Sequence, residues 1–153
     1  MELSKDEIKQ IYEETKTIAV VGASTDESKP SHRIPKYLQS QGFKIIPVSP
    51  KGGECLGEKV YAKLADIPEP VDVVDVFRPS DETPQIARDA VAIGAKVLWL
   101  QSGIANDEAE GIAEAAGLKV VMDRCMKVEH ARHLGRMHWL GFNTGQITAR
   151  RRG

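Results

Sequence analysis

The sequence predicts an α/β domain, a three-layer sandwich in which helices cover both faces of a parallel five-stranded sheet. Three observations carry that expectation. Short, nearly continuous apolar runs such as Ile18-Ala-Val-Val21 and Val71-Asp-Val-Val-Asp-Val-Phe77 suit strands buried on both faces. Helical patterns separate the runs, at lengths too great for hairpins. The first run ends on Gly22, a polar loop follows, and a helix opens at Pro30, giving a strand–turn–helix corner of the kind that cradles phosphates.

In chain order, Ser4-Lys-Asp-Glu7 fits a capping box, and Ile8, Ile11 and Tyr12 form the apolar stripe of a leader helix over about residues 4–15. Strand one spans Ile18 to Val21. A helix runs from Pro30, favoured at a first helical position, to Gln41, with Gly42 as its stop. Strand two is Phe43 to Val48, and Cys55 to Tyr61 reads as irregular, followed by one helical turn at Leu64 to Ile67. Strand three is Val71 to Phe77. Ser80-Asp-Glu-Thr-Pro84 starts a helix with acids where its dipole favours them, and Gly94 ends it. Strand four is Lys96 to Leu100, a helix opens at Asn106, strand five is Leu118 to Met122, and a last helix runs from Cys125 to about Leu134. Right-handed crossovers then give one Rossmann-like domain over residues 1–153, with strand order 3-2-1-4-5 and a ligand crevice between strands one and four.

Composition narrows the function classes. At 153 residues with 41% hydrophobic and 28% charged residues, the chain is an ordinary globular domain. A net charge of −1 gives no global field for nucleic acid or anionic membrane, and the terminal Arg150-Arg-Arg152 is too small a basic patch to act as one. No apolar run approaches the roughly 20 residues of a membrane span. The acidic N-terminus lacks a signal-peptide core, and two cysteines are too few for a disulfide scaffold, so a cytoplasmic protein with reduced thiols is expected.

Ligands of open α/β sheets sit beyond the carboxyl ends of the strands. Strand one offers Gly22, Ala23 and Ser24, with Lys29, His32 and Arg33 in the following segment. Strand two offers Pro50 and Lys51; strand three Phe77, Arg78 and Pro79; strand four Gln101, Ser102 and Gly103. Two departures from the dinucleotide fingerprint matter. One glycine, Gly22, stands where three are usual, so the phosphate turn is wider. Lys51 also stands near the place where NAD readers keep an acid, and a cation there attracts a phosphorylated ribose. Coenzyme A and NADP both carry one.

Val21-Gly-Ala-Ser24, Lys29-Pro-Ser-His-Arg33, Ile46-Pro-Val-Ser-Pro50, Asp75-Val-Phe-Arg-Pro79, Trp99-Leu-Gln-Ser-Gly-Ile104 and Met122-Asp-Arg-Cys125 together resemble the CoA-binding protein family, whose domain is similar to that of the succinyl-CoA synthetase alpha subunit. The resemblance covers roughly residues 10 to 134. It implies a Rossmann domain binding CoA, with Gly22, Ala23 and Ser24 lining the phosphate turn. It puts Lys29 and Arg33 at the phosphates with His32 alongside, and Pro50 and Lys51 at the adenosine end. Phe77, Arg78 and Pro79 wall the adenine, and Ser102, Gly103 and Ile104 lie toward the pantetheine arm. The synthetase's second domain, with its phosphorylated histidine, has no counterpart in this length, so ligase chemistry is not implied.

The expected function is therefore CoA or short acyl-CoA binding without catalysis of its own. The alternatives are an NADP-linked oxidoreductase or a CoA-binding subunit of an acyl-CoA synthetase assembly. A homodimer and a separate catalytic partner both stay open. Tyr12-x-x-x-Lys16 matches a dehydrogenase pair only by coincidence, since it precedes strand one. Cys125, His130, His133 and His138 fit no structural-zinc spacing, and no metal is expected. Cys125, after a strand and at a helix start, is the better placed thiol, although no Cys/His/Asp grouping emerges. The extension over about 138–153 carries Trp139, Leu140 and Phe142, apolar enough to dock on the domain or a second subunit.

Overall fold

Alternation at period two within buried strands decides where each helix packs. The computed structural model of the chain describes residues 2–135, so the expected extension over 138–153 lies outside the described residues. The first elements are α1 (Lys5–Glu14), β1 (Thr17–Val21), α2 (Pro30–Ser40) and β2 (Lys44–Val48). A small hairpin, β3 (Glu54–Cys55) and β4 (Glu58–Lys59), and a 3-10 turn at Leu64–Asp66 come next. The second half contains β5 (Val73–Val76), a 3-10 turn at Ser80–Glu82, α3 (Thr83–Ala92), β6 (Val97–Leu100), α4 (Asp107–Ala115), β7 (Lys119–Val121) and α5 (Met126–His130). A π-helical turn over Ala131–Gly135 continues α5 where an α-helix to Leu134 was expected. The reciprocal capping box of Ser4 and Glu7 forms as the sequence implies, at 3.0 and 3.1 Å.

One sheet face packs Ile18, Val20, Val73, Val97 and Trp99 against Ile8, Ile11 and Tyr12 of α1, Leu38 of α2 and Met126 of α5. The opposite face packs Ala19, Val74, Val76, Leu98 and Leu100 against Ile86, Ala87 and Ala90 of α3 and Ala109 and Ala113 of α4. Helices thus cover both sides of a five-stranded parallel sheet, the Rossmann-like architecture that the sequence predicts. No helix among the described residues is long and apolar enough to cross a membrane.

The strand order differs from expectation. The sheet runs β2-β1-β5-β6-β7, which in the five-strand reading is 2-1-3-4-5 rather than 3-2-1-4-5. Pro47 supplies the physical reason. Within β2 the Val48 carbonyl faces β1 and accepts from Gly22 N at 2.9 Å, whereas the Pro47 carbonyl faces away and accepts from Tyr61 N at 3.0 Å. The missing N–H of Pro47 thus points outward, which an edge strand tolerates and an interior strand does not. The segment after β2 holds the small hairpin in place of the irregular stretch expected at Cys55 to Tyr61. It lays Tyr61 along the edge as a single parallel bridge to Val48, then carries the chain past β1 to β5. The point where the strand order reverses therefore falls between β1 and β5, and the crevice expected between strands one and four moves one strand inward.

β5 is thereby a central strand, and it carries a carboxylate in its middle. Asp75 is fully buried, in register with Val20 and Trp99. Burial pushes its carboxyl up to about 7, while the bond from the Gln101 amide works the other way. The native state then holds more protons than the unfolded chain between about pH 4 and 7. Stability from this group is complete at the acid end of that window, falls as pH rises toward 7, and is flat above. We expect Asp75→Asn to abolish this fall and to gain up to a few kcal/mol at pH 8 relative to pH 5. Urea denaturation of both proteins at the two pH values checks it, and parallel pH profiles count against it.

Candidate functional site

Gly22 ends β1 and opens the site. Its φ of +90° is a left-handed conformation that suits glycine. A β-carbon there would stand 3.0 Å from Arg78 Cδ and 3.1 Å from the Phe77 carbonyl oxygen. The absence of a side chain lets the ends of β1 and β5 close together at the switch point.

The turn beyond Gly22 is held chiefly through Ser24. Its carbonyl accepts from His32 Nδ1 at 2.8 Å and from Cys55 Sγ at 3.4 Å, and its hydroxyl accepts from Asp26 N at 3.0 Å. His32 must therefore carry its proton on Nδ1, since a carbonyl only accepts. Ser24 N donates to the Ser31 carbonyl at 3.3 Å. That carbonyl is open because the residue four positions on, Pro35, has no N–H to close the helical bond. Farther out, Asp26 takes the Ser28 N–H and hydroxyl at 2.9 and 2.7 Å, which holds its carboxyl below the usual range. Arg33 Nη1 donates to the Ser28 carbonyl. Helix α2 begins at Pro30 with Lys29 as an N-cap that makes no side-chain bond, while Lys29 N donates to the Asp26 carbonyl and His32 N to the Lys29 carbonyl, both at 3.0 Å.

Two adjoining lobes form a trough over the carboxyl ends of the strands. The first, about 590 Å³, is walled by Gly22–Thr25, Ser49–Gly52, Cys55, Val60, Phe77 and Arg78. The second, about 650 Å³, is walled by Pro30, Arg33, Ile34, Gln101, Ser102, Ile104, Cys125, Lys127 and Val128. Lys29, Ser31 and Phe77 line both. Arg78 reaches Glu82 through two bonds of 2.8 and 2.9 Å, which raise its pKa and commit part of its charge. Lys29 and Lys51 have no ion-pair partner among the described residues.

Most residues singled out from sequence meet here. Gly22, Ala23, Ser24, Lys29, Pro50, Lys51, Phe77 and Arg78 line the first lobe, and Arg33, Gln101, Ser102 and Ile104 line the second. Three do not line either lobe. His32 is 8% exposed and bound to the Ser24 carbonyl, so it holds the turn after β1 rather than facing the trough. Pro79 precedes the 3-10 turn at Ser80–Glu82. Gly103 donates to Asp123 Oδ1 at 2.6 Å, tying the loop after β6 to the loop after β7. Sequence reasoning missed Ser31 and Ile34, one helical turn apart on α2, and assigned no wall to Cys125, Lys127 and Val128. The rule that ligands sit beyond strand ends reaches those last three as well, because they follow β7.

The residues weighed as metal ligands separate. His130 is enclosed by Tyr12, Tyr37 and Phe43, with Nδ1 at 2.9 Å from the Tyr37 hydroxyl, while His133 meets Glu129 at 3.2 Å. His138 lies outside the described residues. Among those residues no group of three His, Cys, Asp or Glu is placed to hold a metal.

A model of the CoA binding domain family matches residues 16–131. The chain belongs to that family. It is 43% identical to the Bacillus subtilis protein YneT, an alignment covering 84% of this chain and 95% of that one. A solved structure from Thermus thermophilus superposes with a TM-score of 0.83 at 42% identity, covering 86% of this chain and 100% of the other. The alpha subunit of Pyrococcus furiosus ADP-forming acetate–CoA ligase I is 35% identical over 63% of this chain but only 22% of its own length. The family thus includes free-standing chains of this size and portions of much larger ligases.

Gly22→Ala should destabilise the fold by about 1–3 kcal/mol, combining a strained φ with a close approach to the Phe77 carbonyl. Urea denaturation measures it; a loss below a few tenths of a kcal/mol would show that the corner relaxes freely.

Proposed function

We propose that this chain binds CoA or a short acyl-CoA in the two-lobed trough, without a catalytic group of its own. The observation that carries the reading is the junction of the lobes. There the positive dipole end of α2 and Lys29, which has no ion-pair partner among the described residues, provide an anion site between two elongated pockets. A CoA molecule has that plan, with a central pyrophosphate, a phosphorylated adenosine at one end and a long pantetheine arm at the other. The first lobe supplies Lys51 for a ribose phosphate and Pro50 and Val60 as apolar surface beside it. The second offers Ile34, Ile104 and Val128 as a largely apolar wall for the arm.

Membership of the CoA binding domain family supports the same ligand. The absence of catalysis is supported by the commitment of the groups nearest the phosphate corner. His32 is spent on the Ser24 carbonyl, as is the Cys55 thiol, and burial raises that thiol's pKa. The likeness to a portion of a ligase alpha subunit favours a second reading, in which the chain presents CoA to a separate catalytic partner.

Calorimetric titration decides between ligands. CoA should bind saturably. Dephospho-CoA should bind about fivefold more weakly if Lys51 reads the ribose phosphate, an exposed charge pair worth up to about 1 kcal/mol. Lys51→Ala should erase that preference while leaving dephospho-CoA affinity in place. Absence of heat with millimolar CoA, or tighter binding of NADPH than of CoA, sinks the reading.

A further inference from the structure

Beneath the second lobe, a buried hydrogen-bond chain joins the core to the wall of the trough. Asp75 is completely buried, and its Oδ2 has no hydrogen-bond partner among the described residues. Its Oδ1 accepts from Gln101 Nε2. Gln101, itself 3% exposed, lines the second lobe, and its Oε1 accepts from Met126 N at 3.3 Å. Cys125 and Lys127, on either side of Met126, are part of the same wall. An amide side chain has one donor end and one acceptor end, so the two bonds of Gln101 are correlated.

We infer that Asp75 is a positioning residue whose protonation state sets the Gln101 amide, and through it the Cys125–Val128 wall, so that ligand binding in the trough releases a proton. With the carboxylate ionised, its Oδ1 accepts from the Gln101 NH2, and Oε1 stays on the Met126 N–H. A proton on Oδ2 finds no acceptor among the described residues. A proton shared on the Oδ1 side is satisfied only when the amide turns its oxygen inward, and that removes the acceptor from Met126 N. The wall is then ordered in one state and loosened in the other, a bistable element of the kind that couples a site to a proton. The inference rests on the CoA reading, in which the second lobe takes the uncharged pantetheine arm. The ligand's phosphates then lie at the junction and in the first lobe, so the arm and not a phosphate faces the Gln101 wall.

The titratable neighbours come from three elements. Tyr12 of α1 senses the Asp75 charge, and after burial that charge is the largest influence raising the tyrosine's pKa. Glu129 and Cys125 from the α5 segment and Tyr37 of α2 act on Tyr12 more weakly, and His130 packs against the same ring. Tyr12 also ties its hydroxyl to the Met126 carbonyl at 2.8 Å, so the α5 segment is held from both the carboxylate side and the α1 side.

The experiment is calorimetric titration with CoA between pH 6 and 8, in pairs of buffers with different ionisation heats, for wild type and Asp75→Asn. A competent state that requires ionised Asp75 weakens CoA binding about tenfold at pH 6 relative to pH 8. The buffer pairs then report proton release on binding. Asparagine keeps an acceptor for Gln101 but cannot titrate, so Asp75→Asn should flatten the profile apart from the slope contributed by the ligand's own phosphate. Superimposable wild-type and Asp75→Asn profiles overturn the inference and leave CoA binding intact. Absence of CoA binding in wild type at every pH overturns the CoA reading and this inference together. Gln101→Leu, which removes the relay but not the carboxyl, should lose the pH dependence in the same way, and a retained dependence also counts against the relay.

Discussion

A single close contact governs the layout of this molecule: the approach of Gly22 to the Phe77 backbone and the Arg78 side chain at the ends of β1 and β5. Adjacent parallel strands whose chains leave in different directions create a crevice at their carboxyl ends. Here the crevice is only as deep as the missing side chain allows. The turn after β1, the Lys51 loop and the start of α3 all converge on that point, and the walls of the first lobe come from separate segments of the chain. The glycine acts by leaving room, which is why one of them serves where a dinucleotide fold uses three.

The sheet around that contact makes an unusual trade. β2 takes the edge, shielded by one bridge to Tyr61, so that β5 can lie in the interior. An interior strand carrying Asp75 is costly, because burying a carboxylate with one oxygen unpartnered has few compensations. The carboxylate sits one residue pair below the floor of the second lobe, with Gln101 between. Its expense is localised under the place where a ligand's arm would lie, within a cluster that includes Ile18, Val20, Val73 and Trp99.

Much of this was legible in the residues. The five principal strands and the helices between them follow from apolar runs and punctuating glycines and prolines, and their bounds differ from the observed ones by up to three residues, as at Ser80, where a 3-10 turn precedes α3. The strand order was present but needed a different clue: Pro47 in the middle of a strand belongs on an edge, and that fact outweighs the commoner order. For the site, the strand-end rule names Gly22, Lys29, Lys51, Phe77, Arg78 and Ser102, all of which line the trough. It also names His32, whose number places it beside Arg33 while the helix turns it to the Ser24 carbonyl. Sequence spacing fixes which helical turn a residue occupies, but the direction of its side chain depends on what the preceding loop leaves unsatisfied. The hairpin at β3–β4 escaped notice because each strand is two residues long, too short for any alternation to register.

Pro35 has a further consequence, and it concerns time. A proline inside a helix normally counts as damage, yet here the carbonyl it orphans is the one that seizes Ser24. The phosphate corner is therefore locked by the folding of α2 itself, together with the His32 bond, before any ligand arrives. A recognition loop built in advance has little disorder left to surrender on association. Capture at this corner should then be limited by diffusional encounter, with no slow loop closure following it. Whatever delay the trough imposes belongs to its other end, where Met126 is held by the Gln101 amide on one side and the Tyr12 hydroxyl on the other.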